Sequence, residues 1–272
     1  MDDTPDFAAV TKIQQATWAG GDFSVVANLV YHDAEMLAEA LAILPGERVL
    51  DVACGSGNGA IAAARRAWGN TTGADFVPAL LERARERAAA ERLEIEFVEA
   101  DAQDLPFEDA SFDVTMSIFG VMFAPDQRKA ASELLRVTKP GGRIGVASWC
   151  PDGGLEKLFT AVAKHTGGPP PGVAPPVLWG SEEHLREIFG GGIDGLRSER
   201  RKSRQPFYTA DQYIDFFRSY FGPIKSAYEK VGPEGEGALT EDLRAMLEEA
   251  NTAGERALVL EPEYLLAVAS RA

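Results

Sequence analysis

The chain is poor in the residues that staple, anchor or ligate. Of its 272 residues only Cys54 and Cys150 are cysteines, which excludes a disulfide framework. The histidines, His32, His165 and His184, stand far apart and in no metal-ligand spacing, so no metal is expected. No run approaches the roughly 18 uninterrupted apolar residues of a membrane-spanning helix. The N-terminal MDDTPDF is acidic where a secretory leader would be basic. A soluble, cytoplasmic protein with no membrane partner is expected. Positive charge is also scarce: 27 Lys and Arg against 42 Asp and Glu leave a net charge of −15. Without spare cations to displace phosphate counterions, nucleic acid is a poor partner, whereas a small cationic ligand is not excluded.

What is present is an ordinary globular composition, 45% hydrophobic, in which no internal repeat is visible. Phe7, Val10, Ile13 and Trp18 predict a short amphipathic helix that Gly20 and Gly21 break. A second helical region runs from Val25 to Leu44 and stops at Pro45–Gly46. The chain then alternates. Short apolar runs at 48–53, 71–75, 95–99, 113–119 and 143–149 predict buried parallel strands. Helical stretches at 59–68, 78–90 and 127–137 lie between them, with Pro78 in the favoured first turn. This rhythm predicts an α/β doubly wound sheet with helices on both faces. Beyond residue 150 come helices near 155–164 and 181–189, an extended stretch at 195–207, helices at about 210–229 and 239–250, and a final strand at 256–270. The organisation expected is an N-terminal helical lid at 1–45, a ligand-binding core at 46–150, and a remainder at 151–272. Within that remainder, about 210–250 form a helical cap inserted between two closing strands.

The first predicted strand ends in VLDVACGSGNGA. Gly55, Gly57 and Gly59 allow a sharp turn and a close backbone approach to a ligand at the start of the next helix. Taken alone, Gly55-x-Gly57-x-x-Ala60 also fits the relaxed dinucleotide fingerprint. Charge separates the readings. Asp51 stands four residues before Gly55, where a pyrophosphate would meet a carboxylate at a cost on the order of 1–4 kcal/mol at ~4 Å. An α-ammonium group would be favoured instead. Asp75 ends the second strand, where a carboxylate can accept from ribose hydroxyls, and Phe76 is placed to lie against an adenine ring. Asp101 ends the third, where an acid can accept from an adenine amine while the Ala102 amide donates to a ring nitrogen.

These segments, VLDVACGSGNG, GADF, EADAQDLPF, SFDVTMSIFGVMF and LLRVTKPGGRIGVASW, resemble in order the motifs of class I S-adenosylmethionine-dependent methyltransferases, in the branch of small-molecule and quinone-biosynthesis enzymes. The resemblance covers about residues 46–150. It implies a Rossmann-like sheet of seven strands, mostly parallel, with an antiparallel last strand. It also implies S-adenosyl-L-methionine as cofactor: Asp51 with the Gly55 and Gly57 backbone on the methionine end, Asp75 on the ribose, Asp101 and Ala102 on the adenine, and the main chain at Ser117 and Ile118 near the sulfonium.

The implied function is methyl transfer to a small, partly aromatic or apolar acceptor. Two other classes remain open at this stage. An NAD(P)-dependent oxidoreductase leaves Asp51 and Asp101 unexplained, and a non-catalytic S-adenosylmethionine-binding module would lack an enclosed acceptor pocket. SIFGVMF replaces the Asn/Asp-Pro-Pro-Tyr motif of nucleobase methyltransferases, and the Asn-Asp-x-Met-Ser segment of the quinone enzymes is missing. His32, Tyr31 and Tyr208 are the weak candidates for a base. Trp18 and Tyr31 are candidates for the lid. Tyr213, Phe216, Phe217 and Tyr220 have the spacing of one helix face, read either as core or as acceptor-pocket wall. Arg197, Arg200, Arg201, Lys202 and Arg204 are read as a charged, outward-facing strand.

Overall fold

The fold was taken from a computed structural model, which describes residues 5–168 and 170–272; the first four residues of the expected lid lie outside it. Seven strands form the main sheet: β1 (Val49–Val52), β2 (Thr71–Asp75), β3 (Ile95–Glu99), β4 (Phe112–Ile118), β5 (Thr138–Trp149), β6 (Ile193–Lys202) and β9 (Glu263–Arg271). Their order is β3-β2-β1-β4-β5-β9-β6. The pairs among β1 to β5 are parallel, and β9 runs antiparallel between β5 and β6. Every residue of β1 and β2 is buried, as a sheet covered on both faces requires.

Helices α4 (Asn58–Ala67), α5 (Pro78–Ala90) and α6 (Gln127–Val137) connect the parallel strands. Ala60, Ala62, Ala63 and Ala64 let α4 lie close on the sheet. Because strand order reverses between β1 and β4, the chain leaves β1 and β4 toward opposite sides, and a crevice opens at their carboxyl ends.

Further helices precede or follow this core: α1 (Phe7–Ala19), α2 (Phe23–Val26) and α3 (Tyr31–Ala40) before it, α7 (Leu155–Thr166) and α8 (Glu182–Phe189) after it. The cap is α9 (Ala210–Tyr220) and α10 (Gly222–Ala250), carried on a two-stranded ribbon of β7 (Gln205–Phe207) and β8 (Leu258–Leu260). These helices lie in the chain between β6 and β9. Their boundaries differ from those predicted. Pro223, at home in a first helical turn, ends α9 early and starts α10, which breaks at Gly232 (φ 63°) and resumes at Pro233.

The predicted single strands at 195–207 and 256–270 are each split in two. Ser203 leaves the sheet to donate to the buried Asp33 carboxylate (2.6 Å), and Pro262, which has no N–H to donate, interrupts the second run. The two inner pieces pair as β7 and β8, outside the main sheet.

β6 is the sheet's edge, and its cations are engaged there. Arg200 pairs with Asp152 and Glu263, Arg201 with Glu199, and Lys202 with Glu261. The main core fills both sheet faces, and a second core in the cap gathers Phe207, Tyr213, Phe217, Leu239, Leu243 and Leu247.

Leu41 follows α3 and sits against Gly145 of β5, where a Cβ would lie 2.9 Å from the leucine side chain. Leu41→Ala should cost about 2–5 kcal/mol in chemical denaturation. Leu44→Ala, at a position 57% exposed, should change stability by less than about 0.5 kcal/mol. Equal losses would contradict the packing assigned to α3.

Candidate functional site

The crevice at the carboxyl ends of β1, β2 and β4 is a cleft with about 900 Å³ of empty space, its open mouth included. Its floor is the glycine loop. Gly55 (φ 54°) and Gly57 (φ 88°) take left-handed backbone conformations, and the loop ends at the first turn of α4. Gly59 is required by proximity, since a Cβ there would lie 2.6 Å from Asp51 Oδ2 and 2.3 Å from Ile118 Cδ1.

Asp51 is 1% exposed. Its Oδ2 accepts from the Ala60 amide at 2.7 Å, in the first turn of α4, and its Oδ1 has no partner among the described residues. Burial, with Asp75 adding repulsion, pushes the Asp51 carboxyl up to about 8. A carboxylate so placed lacks a cation. Asp75 is also buried. Its Oδ2 accepts from Gly55 N at 2.8 Å and its Oδ1 from Val77 N at 2.9 Å, while burial raises it to about 6. Each oxygen keeps a second lone pair for a ligand hydroxyl.

Asp101 and Ala102 line the same cleft beside Gln103. The Gln103 side-chain amide donates to the Asp101 carboxylate and to Thr11 Oγ1, and its oxygen accepts from Asp126 N. The loop that carries them is braced by α6: the buried Glu133 accepts from Leu105 N, and Arg136 donates to the Leu105 and Phe107 carbonyls.

Asp51, Gly55, Asp75, Phe76, Asp101, Ala102 and Ile118 thus converge on one cleft. Two expected residues are placed behind it. Gly57 shapes the loop from outside, packed toward Ala84. The Ser117 hydroxyl is buried, donating to Val52 O at 2.6 Å and accepting from Val121 N, so it stitches β4 to β1. The candidate bases lie on the surface. Tyr208 is 83% exposed, His32 is exposed, and Tyr31, 43% exposed, accepts from Arg65. None of the three lines a cavity described here. Cys54 is buried and its thiol is raised far up by burial and the nearby acids, as a small filler should be.

Several residues carry the site without a sequence signal. Arg87 of α5 donates to the Ser56 carbonyl (2.6 Å) and to Asn58 Oδ1 (2.7 Å), while Asn58 donates onward to Ala27 O. One guanidinium therefore ties the glycine loop to α5, and Asn58 ties it to the N-terminal helices. Over the cleft, α1 is fastened by Gln15, which donates to the Phe76 carbonyl, and by Thr11 on Gln103. Trp18 of α1 lines the cleft; Tyr31 does not.

A methyltransferase-domain profile matches residues 49–142, the segment that builds this cleft. The chain is 45% identical across 126 residues to demethylmenaquinone methyltransferase of Deinococcus radiodurans, covering 46% of this chain and 51% of that protein. The chain belongs to the S-adenosylmethionine-dependent methyltransferase family. The cofactor of this family is S-adenosylmethionine. Along its whole length the chain is similar to an uncharacterised protein of Mycobacterium tuberculosis, Rv1405c, with 37% identity over 273 residues, 99% of this chain and 98% of the relative. It spans only about half of the quinone enzymes it matches. Among solved structures, the YcgJ protein of Bacillus subtilis superposes with a TM-score of 0.63 at 18% identity, covering 88% of this chain and 98% of that one. Geranyl diphosphate C-methyltransferase of Streptomyces coelicolor, solved with S-adenosyl-L-homocysteine, gives 0.52 at 16% identity, over 89% and 76%. At these identities the likeness is one of fold.

The Asp51 carboxyl is raised above its unfolded value near 4. Its contribution to stability is therefore full below about pH 4 and is lost as pH rises through about 8. Asp51→Asn keeps the acceptor for Ala60 N and removes the charge. In the ligand-free protein its gain in Tm should grow from pH 5 to pH 9 in scanning calorimetry. A change independent of pH would show that the buried charge is not the cause.

Proposed function

We propose that this chain transfers the methyl group of S-adenosylmethionine to an apolar, partly aromatic small molecule. The observation that carries the reading is the unpartnered Asp51 Oδ1, buried at the head of a cleft whose other polar groups suit a nucleoside. The residues fit the cofactor. Asp51 and the Gly55 backbone would take the methionine end, its ammonium meeting the orphaned oxygen. Asp75 would accept from the ribose hydroxyls, and Phe76, Asp101 and Ala102 would hold the adenine. When bound, S-adenosylmethionine supplies a methyl group already activated on a sulfonium.

The chain's own part is then to position and to exclude water. Trp18, Phe23, Phe119 and Phe123 line the cleft and continue into a second, aromatic cavity. Aromatic faces attract cations, and an apolar wall keeps water from the reacting atoms. That second cavity contains one ionisable side chain, Tyr213, whose phenol is raised by burial and is a poor base. The acceptor must therefore bring its own nucleophile, and rate enhancement comes from alignment, an effect worth ~7–11 kcal/mol in well-oriented systems.

Calorimetric titration should give 1:1 binding of S-adenosylmethionine and S-adenosylhomocysteine and none of NAD or NADP. Asp75→Ala should weaken binding of the adenosyl ligands by ~1.5–3 kcal/mol through lost charge-assisted hydrogen bonds. Binding of NAD alone, or unchanged affinity in Asp75→Ala, would overturn the assignment.

A further inference from the structure

The aromatic cavity beside the cofactor cleft has about 560 Å³ of empty space, its open sides included. Its walls come from the N-terminal helices (Trp18, Phe23), from the residue after β4 and the end of β5 (Phe119, Trp149) and from the α9–α10 region (Phe217, Phe221). The rings meet edge to face: Trp18 lies 5.4 Å from Phe221 and 4.9 Å from Phe123. Two polar side chains interrupt this wall, Gln205 at 6% and Tyr213 at 4% exposure. Neither side chain has a hydrogen-bond partner among the described residues, and burial alone accounts for the raised Tyr213 phenol. Gln205 and Phe207 share the buried side of β7, and the Phe207 ring lies 5.0 Å from Tyr213. The amide and the phenol therefore face the open space of the cavities they line, where water or a ligand supplies their hydrogen bonds.

Gln205 and Tyr213, with Leu155 and Leu158, also line an outer cleft on the far side of the chamber. That cleft carries Asp152, Glu156, Glu261 and Glu263 against Lys157 and Lys202. Both lysines are already engaged, Lys157 with Glu249 and Lys202 with Glu261. An anion finds no free cation at this entrance and none in the chamber, and a cation finds no carboxylate in the chamber.

We propose that the chamber binds a flat, uncharged, apolar molecule end-on, its single polar group held by Gln205 and Tyr213 and its other end against the cofactor cleft, and that the molecule enters through the outer cleft. Glutamine and tyrosine each donate and accept, so a hydroxyl, carbonyl or neutral amide suits the anchored end. That this ligand is the methyl acceptor rests on the function proposed above; its binding in the chamber does not.

Calorimetry of the full chain with three probes tests this: 2-naphthol, naphthalene and naphthalene-2-sulfonate. The expected order is 2-naphthol binding 1:1, naphthalene at least about tenfold weaker, and no binding of the sulfonate. Gln205→Leu and Tyr213→Phe should each weaken 2-naphthol about tenfold and leave naphthalene unchanged. Leu158→Trp, which fills the chamber, should abolish binding of both. S-adenosylhomocysteine affinity, unchanged in all three variants, serves as the control for folding. Sulfonate binding as tight as 2-naphthol, or 2-naphthol affinity indifferent to both polar substitutions, would overturn the proposal. If the probes behave as expected but S-adenosylhomocysteine fails to bind wild type, the chamber stands and the methyl-transfer reading falls. If S-adenosylhomocysteine binds and 2-naphthol does not, the reverse holds.

Discussion

A carboxylate delivered by the central strand into the protein's interior sets the terms for everything around it. β1 is buried at every position, so Asp51 at its third residue is only 1% exposed, at the bottom of the cleft. The first turn of α4 satisfies one of its oxygens, as a helix N-terminus can. That contact fixes how close α4 must come and leaves room for no side chain at Gly59. The left-handed glycines before it follow, because the chain must reverse within a few residues to bring α4 under the strand end. The second oxygen stays orphaned, and the ligand-free molecule bears that cost. A binding site that is strained until a cation arrives is a common way for a fold to hold affinity in reserve.

The remaining architecture supports this point from three sides. Arg87 and Asn58 hold the loop, α6 holds the loop after β3 through Glu133 and Arg136, and α1 lies over the top on Gln15 and Thr11. The end of α1 is itself docked on α10: a Cβ on Gly222 would lie 2.0 Å from the Thr17 carbonyl, and Lys225 donates to Gly20 O. Helix α1, the loop and α10 therefore share one set of contacts. The aromatic chamber lies where they meet, with a core of its own behind it.

Much of this was legible along the chain because local signals agreed with the fold. Pro78 and Ala90 bound a helix in both readings, and Gln127–Val137 begins after Asp126, whose carboxylate caps Lys129 N. The acids at 51, 75 and 101 could be placed on strand ends, hence on one edge, because parallel strands all point the same way. Illegible were relations between distant segments. Nothing near Arg87 marks it as a clamp on Ser56, thirty-one positions away. Ser117 looks like a lining residue until its hydroxyl is seen spent on Val52 and Val121. The stripe at 213–220 packs the second core, with Tyr213 and Phe217 also lining the aromatic cavity, and Tyr220 is 38% exposed. One helical period cannot distinguish a core face from a pocket face, since both are apolar.

That the Asp51 carboxyl, pushed up to about 8 by burial, gives up its proton on binding a cationic ligand follows from the function proposed above. It is tested most directly by titrating the protein with S-adenosylmethionine at pH 7 in two buffers of different ionisation enthalpy. A carboxyl near 8 that becomes a carboxylate on binding must release about one proton per ligand. The observed enthalpies should then differ by about the difference between the buffers, and Asp51→Asn should remove that difference. Tight binding with identical enthalpies in both buffers would contradict the account, because it would mean that the cofactor is held without discharging the buried acid.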